Sequence, residues 1–359
     1  MKFGGMGATK IDDWSIFPYL EELKFDSGWV PDSQMIWSDC YATLSLAAQN
    51  THRLRLGTGV AIAGTRLAPV TAHSIASINK IAPGRVFLGI GTGHTAMRIM
   101  GQNPVSPSEF TEYLRVVSAL LAGGEVDYCY RGKTQPIKFL DRDLACVDIE
   151  NKIPLYVAAN GPKALRAAGI YGDGRIGAGN EPKSVFLRNS ERINRGAAEV
   201  GRLLPGTFHS AVMTFACVLQ PGENLNSERV VEETGAQVVA SLHFWYELFR
   251  QKGHDNFVMD SARDVWDSYK AYVEKEMPLE RRHLLLHQGH CANLPDQERR
   301  FVTPSMIKVS SGLVGEPDEL IARIQELEEA GLKEIVLMPP RNSMRRNFKT
   351  FATEIIARL

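Results

Sequence analysis

The chain has no excess of charge: 41 Lys and Arg face 41 Asp and Glu, for a formal net charge of zero. That balance argues against a general role on nucleic acid or on an anionic membrane surface. No apolar run approaches the roughly 20 residues needed to span a bilayer. The stretch Met1-Lys2-Phe3-Gly4-Gly5 passes straight into a strand-like segment with no apolar signal core. Cysteine is scarce and unpatterned. Cys40, Cys129, Cys146, Cys217 and Cys291 are odd in number and include no C-x-x-C pair. A disulfide framework is therefore not expected, and a reducing cytoplasm is. No linker and no long repeat interrupts the sequence. The glycine-rich turn at 89–94 is also not the dinucleotide fingerprint G-x-G-x-x-G. In Gly89-Ile90-Gly91-Thr92-Gly93-His94, His94 stands where the third glycine belongs, and the turn follows the fourth strand-like segment instead of the first.

What is present is a large apolar content, 44% of 359 residues, and a regular alternation of strand and helix patterns. Strands are predicted at 3–6, 34–37, 54–63, 86–90, 153–159, 175–178, 208–219 and 334–338. Helices are predicted between them, at 12–23, 41–50, 69–81, 107–121, 163–171, 183–203, 317–330 and 345–359. A hairpin excursion is expected at 125–150. Residues 221–305 break the rhythm, with helices at 227–252 and 262–275 and a polar, loop-like stretch at 283–302. Eight such strands suggest an α/β protein of the (β/α)8 TIM-barrel class, a single domain over 1–359 with an insertion at 221–305 after strand seven. A doubly wound open sheet is the rival.

In a barrel the C-terminal strand ends carry the site, which directs attention to four places. After the fourth strand, Gly91, Thr92 and Gly93 let backbone lie close to a ligand, with His94 the first polar group beyond them. After the fifth, Ala158-Ala159-Asn160-Gly161-Pro162 opens a helix whose free N–H groups suit a phosphate, or is an ordinary helix start. Asp39 and Cys40 close the predicted second strand; a cap for the following helix and a small buried thiol are the plain alternatives. His283, His287 and His290, beside Cys291, have the spacing of one helix face. Gly289 weakens that helix, so the expectation is a lid over substrate and no metal. Arg341, Arg345 and Arg346 are either a solvated face or a seat for an anionic cofactor tail.

Four blocks resemble the luciferase-like family of flavin- and deazaflavin-dependent oxidoreductases. They are Leu56-Gly57-Thr58-Gly59-Val60, the stretch from Gly84 to Gly93, the stretch from Ile153 to Pro162, and Val314-Gly315-Glu316-Pro317-Asp318-Glu319-Leu320. The likeness is strongest to the F420-dependent branch, which includes methylenetetrahydromethanopterin reductase and F420-dependent glucose-6-phosphate dehydrogenase. It implies a barrel with a flavin-type ring across the strand ends, F420 as cofactor (FMN as the alternative), and a small-molecule substrate. It further implies a bulge with a non-proline cis peptide at Gly59–Val60, ring contacts from Thr92 and Gly93, and phosphate contacts from Ala158, Ala159, Asn160 and Gly161. Asp39, Cys40 and His94 are then the expected catalytic groups. Cys40 stands where the family commonly has histidine, and His94 where the glucose-6-phosphate branch has glutamate. A homodimer or higher homo-oligomer is expected, with a flavin or F420 reductase as a possible partner. An FMN monooxygenase using O2 and a non-catalytic flavin-binding barrel remain the other readings.

Overall fold

The apolar run at 86–91 is buried at all six positions, as a strand covered on both faces must be, and the other parallel strands are arranged around it. The computed structural model describes residues 1–7, 10–179, 181–310 and 312–359. Strand β1 (Lys2–Met6), helix α1 (Ile16–Glu22), β2 (Ser27–Val30) and α2 (Cys40–Gln49) open the chain. Next come β3 (Arg55–Thr58), a short β4 (Ala61–Ile62), α3 (Ala68–Ile81), β5 (Val86–Gly91), α4 (His94–Ile99) and α5 (Pro107–Leu121). The hairpin β6 (Val126–Tyr130) and β7 (Lys133–Ile137) precedes β8 (Leu155–Ala158), α6 (Pro162–Tyr171), β9 (Gly174–Ala178), α7 (Lys183–Ala198) and β10 (His209–Thr214). Then follow β11 (Ala216–Val218), α8 (Glu228–Lys252), α9 (Arg263–Glu276), α10 (Arg282–Leu285) and α11 (Pro304–Val309). The last elements are β12 (Leu313–Gly315), α12 (Pro317–Glu329), β13 (Glu334–Leu337) and α13 (Met344–Glu354).

The principal sheet runs β3-β2-β1-β13-β10-β9-β8-β5-β4, and a β3–β5 pairing closes it. With β4 continuing β3 beside β5, this is an eight-stranded parallel barrel, so the barrel and not the open sheet is realised. Glycine permits the closure: a Cβ on Gly57 would stand 2.2 Å from the Phe87 ring and 2.5 Å from its carbonyl oxygen. Between the pairs Gly57↔Phe87 and Ala61↔Ile90, the β3–β4 segment advances four residues while β5 advances three. The extra residue is a bulge, and within it the Gly59–Val60 peptide is cis.

Two expectations are corrected. The second strand is Ser27–Val30, not 34–37. Ser27 and Gly28 obscure its pattern, yet all four residues are buried, and the bare Gly28 admits the Phe17 ring. Residues 34–36 form a turn in which Met35 has φ +68° and is 79% exposed. The seventh strand also stops early, at Thr214; after Phe215 the chain continues as β11, which pairs in parallel with β12 instead of extending the barrel. The chain groups into two compact units, 1–212 with 327–336, and 213–326 with 337–359. Residues 221–305 lie within the second of them. Its helices bury an apolar core of their own, including Val238, Tyr246, Trp266, Tyr269, Phe301 and Met306, which Phe215 and Cys217 join.

At the N-terminal ends of its strands the barrel encloses a polar floor. The Glu334 carboxylate accepts from Ser27 Oγ and from Trp29 Nε1 at 3.1 Å, and pairs with His209 Nε2 at 2.6 Å. Tyr156 stacks on His209 with ring centres 4.6 Å apart and takes a 2.8 Å hydrogen bond from Arg55. In such barrels this end serves stability. Among the described residues, no helix is long and apolar enough to cross a membrane.

Candidate active site

At the opposite, C-terminal ends of the strands, three neighbouring segments of the first unit present small side chains to one another. A Cβ on Gly91 would lie 3.0 Å from Val60 Cγ2 and 3.3 Å from the Ala158 Cβ. This brings Gly59 and Val60 of the bulge, the end of β5 and the end of β8 into one patch, with Val60 and Ala158 half-buried. Thr92 is half-buried, and Gly93 turns the chain with φ +79°. A side chain on Gly93 would also meet Ile62 Cγ2 at 2.4 Å, so glycine is required twice over there. His94 follows as the exposed first residue of α4.

Beside this patch, α6 begins with Gly161 at its N-cap and Pro162 in its first turn, and no side chain caps it. The first amides of a helix have no intrahelical acceptor, which leaves the N–H groups of Lys163 and Ala164 for another partner. Asn160, Gly161 and Lys163 are exposed, and among the described residues nothing lies within 4 Å of a Cβ placed on Gly161. The loop is braced from within. Arg175, only 3% exposed, donates to the Ala159 carbonyl at 2.8 Å and to Asn160 Oδ1 at 3.3 Å. Its charge is balanced by Glu181, at 2.5 and 2.8 Å. A helix start of this kind, with its dipole and a lysine in the first turn, fits a phosphate. The small-residue patch fits a planar ring.

Asp39 and Cys40 lie elsewhere than expected, because the second strand ends nine residues earlier than Asp39, at Val30. Asp39 is the N-cap of α2, accepting from the amides of Tyr41 and Ala42 at 3.0 Å. Burial alone would raise its carboxyl, but the Ala42 amide and Arg66 outweigh burial and hold it below its ordinary value. Cys40 is fully buried. Burial first, and then the charge of Asp32, push its thiol far above the usual range, so it stays protonated.

The acid at the true end of strand two is Asp32, which the sequence reading overlooked. It is 4% exposed and accepts from Ile62 N at 3.1 Å, Arg66 Nη1 at 2.6 Å and Gln34 Nε2 at 2.6 Å. Arg66 spans to Asp39 Oδ2 at 2.7 Å and lies over the Tyr41 ring. Asp32 therefore fastens the bulge, through Ile62, to α2, through Arg66 and Asp39. The signal was an aspartate directly after a buried run, Trp29-Val30-Pro31.

The remaining candidates fall in the second unit. Arg346 is committed to Glu233 at 2.9 Å. His283 sits on α10, and the histidine cluster takes His243 from α8 in its place, together with His287 and His290. The one-face spacing is not realised, because α10 ends at Leu285 and the chain turns through Gly289 with φ +72°.

Comparison with known proteins bears on the family and the fold. Residues 15–334 match the family model described as luciferase-like monooxygenase. A 5,10-methylenetetrahydromethanopterin reductase of Methanolobus tindarius is 29% identical over 341 residues, covering 94% of this chain and 93% of that one. An F420-dependent glucose-6-phosphate dehydrogenase of Beutenbergia cavernae is 28% identical over 360 residues, covering 94% and 90%. Among solved structures, the coenzyme F420-dependent tetrahydromethanopterin reductase of Methanopyrus kandleri superposes with a TM-score of 0.68 at 20% identity, over 99% of each chain. The barrel, the bulge at Gly59–Val60 and a family match over most of the sequence converge: this chain belongs to the luciferase-like monooxygenase family.

Proposed function

We propose that this protein is an F420-dependent oxidoreductase acting on a small organic molecule with a C=C, C=N or C=O bond. The observation that carries the reading is the pairing of a small-residue patch, Val60, Gly91 and Ala158, with the exposed, uncapped start of α6. The F420-dependent enzymes named above, similar over nearly the whole chain, support it. Bound F420 would supply the hydride chemistry.

The chain's own residues supply the rest. Gly59, Val60, Thr92, Gly93 and Ala158 seat the ring, and the backbone from Ala159 to Lys163 holds the phosphate. Asp32 and Arg66, with Asp39 and Cys40 behind them, keep the bulge in place. His94 is exposed beside the patch, and imidazole exchanges protons near neutrality, so it takes the proton-handling role. Cys40, with no exposed surface, belongs to the supporting layer.

Spectral titration of the purified protein with oxidised F420 and, separately, with FMN tests this. Saturable binding of F420 in preference to FMN is expected. Saturable FMN binding with no response to F420 would instead favour an FMN monooxygenase.

A further inference from the structure

The second unit holds a set of histidines for which hydride transfer has no use. His243 lies on α8, and His287 and His290 lie in the turn after α10; one ring nitrogen of each is within 4.8 Å of the others. His243 is 1% exposed and His287 4%. Each is held by a buried carboxylate: His243 Nε2 by Glu298 Oε2 at 2.9 Å, and His287 Nε2 by Glu247 Oε1 at 2.8 Å. Tyr269 OH donates to the other Glu298 oxygen at 3.2 Å. An ionised carboxylate only accepts, so Nε2 is the donor in each of these bonds, and a neutral ring held in this way has its lone pair on Nδ1. Among the described residues, Nδ1 of His243 and Nδ1 of His287 are both buried with no hydrogen-bond partner.

Buried polar atoms without partners are rare in folded proteins, and here they belong to a cluster of three imidazoles. A cation satisfies them together. We propose that His243, His287 and His290 bind a divalent transition-metal ion of the zinc class, tying α8 to the turn after α10. Three imidazoles, with water in the fourth position, make a common zinc donor set. In a tetrahedral site with zinc–nitrogen bonds of about 2.0–2.1 Å, the nitrogens would be roughly 3.4 Å apart, which small side-chain rotations reach from the present spacing. The Glu298–His243 and Glu247–His287 pairs are the outer carboxylates that orient metal-bound imidazoles and raise their basicity.

The test uses the full chain, stripped with chelator and titrated with Co2+, then with Zn2+. Expected are one equivalent of Co2+ per chain, the visible absorption of four-coordinate cobalt, and its displacement by Zn2+. Glu298→Gln keeps every ligand and should weaken binding about 10-fold, and His287→Gln about 100-fold or more. Failure of the unmodified protein to take up cobalt stoichiometrically at about 100 μM free ion, a range far above the needs of a three-imidazole site, overturns the proposal whatever the variants do. So does undiminished binding in a folded His287→Gln protein.

Discussion

Neutralising Asp32 should loosen the scaffold of the site by an amount that can be worked out from its partners. The carboxylate is nearly inaccessible and accepts three hydrogen bonds, one from Arg66, whose side chain is only 16% exposed. Asp32→Ala strips acceptors from Ile62 N, Gln34 and a largely buried guanidinium. Breaking a buried pair costs about 3–5 kcal/mol. Arg66 retains Asp39, so the lower end, about 3 kcal/mol, is expected. Asp32→Asn keeps the shape and one acceptor oxygen, but loses the charge and sets an amide donor where the other oxygen accepted, at about 2–3 kcal/mol. Urea unfolding reads both through the midpoint, with the slope unchanged. A cost below about 1 kcal/mol for Asp32→Ala would refute the role given to this network.

His94→Gln should lower turnover while leaving cofactor affinity within about 2-fold, and Cys40→Ala should leave turnover close to normal; steady-state kinetics and cofactor titration separate the two. Glu334 gives a pH prediction. Burial would raise its carboxyl, but His209, Ser27 and Trp29 prevail and hold it below its ordinary value. A carboxyl depressed in the folded state adds stability that is complete above its unfolded value of about 4.3 and is lost as pH falls through its lower folded value. Unfolding free energy should therefore drop more steeply below about pH 4 in the unmodified protein than in Glu334→Gln. Gly57→Ala places a methyl 2.5 Å from a backbone carbonyl oxygen, an overlap worth about 2 kcal/mol or more in midpoint shift on urea unfolding.

The barrel was legible because its strands are short apolar runs separated by helices of clear periodicity, and because Gly57, Gly59, Gly91 and Gly93 mark where backbones must approach. The bulge at Gly59–Val60 and the small patch beside it came from family resemblance, and the pairing register bears out the bulge. Strand two was hidden by its own composition: Ser27-Gly28-Trp29-Val30 alternates poorly, while Gln34-Met35-Ile36-Trp37 looks more apolar yet is a turn. That displacement moved attention from Asp32 to Asp39. Arg66 and Arg175 were invisible as site residues because their roles depend on buried partners distant along the chain, Asp32 and the Ala159 carbonyl. The histidine cluster was half visible. His287 and His290 are close in sequence, but His243 arrives from α8, and no local spacing announces it.

The central claim is most directly tested by a single-turnover experiment on the protein loaded with reduced F420. Under anaerobic conditions its spectrum is followed after mixing with a panel of small carbonyl, imine and activated alkene compounds, and in parallel with O2. The account predicts re-oxidation by at least one organic acceptor without oxygen, and slowing of that step in His94→Gln. Inertness to the whole panel, together with oxygen-dependent turnover of bound reduced FMN, would contradict it.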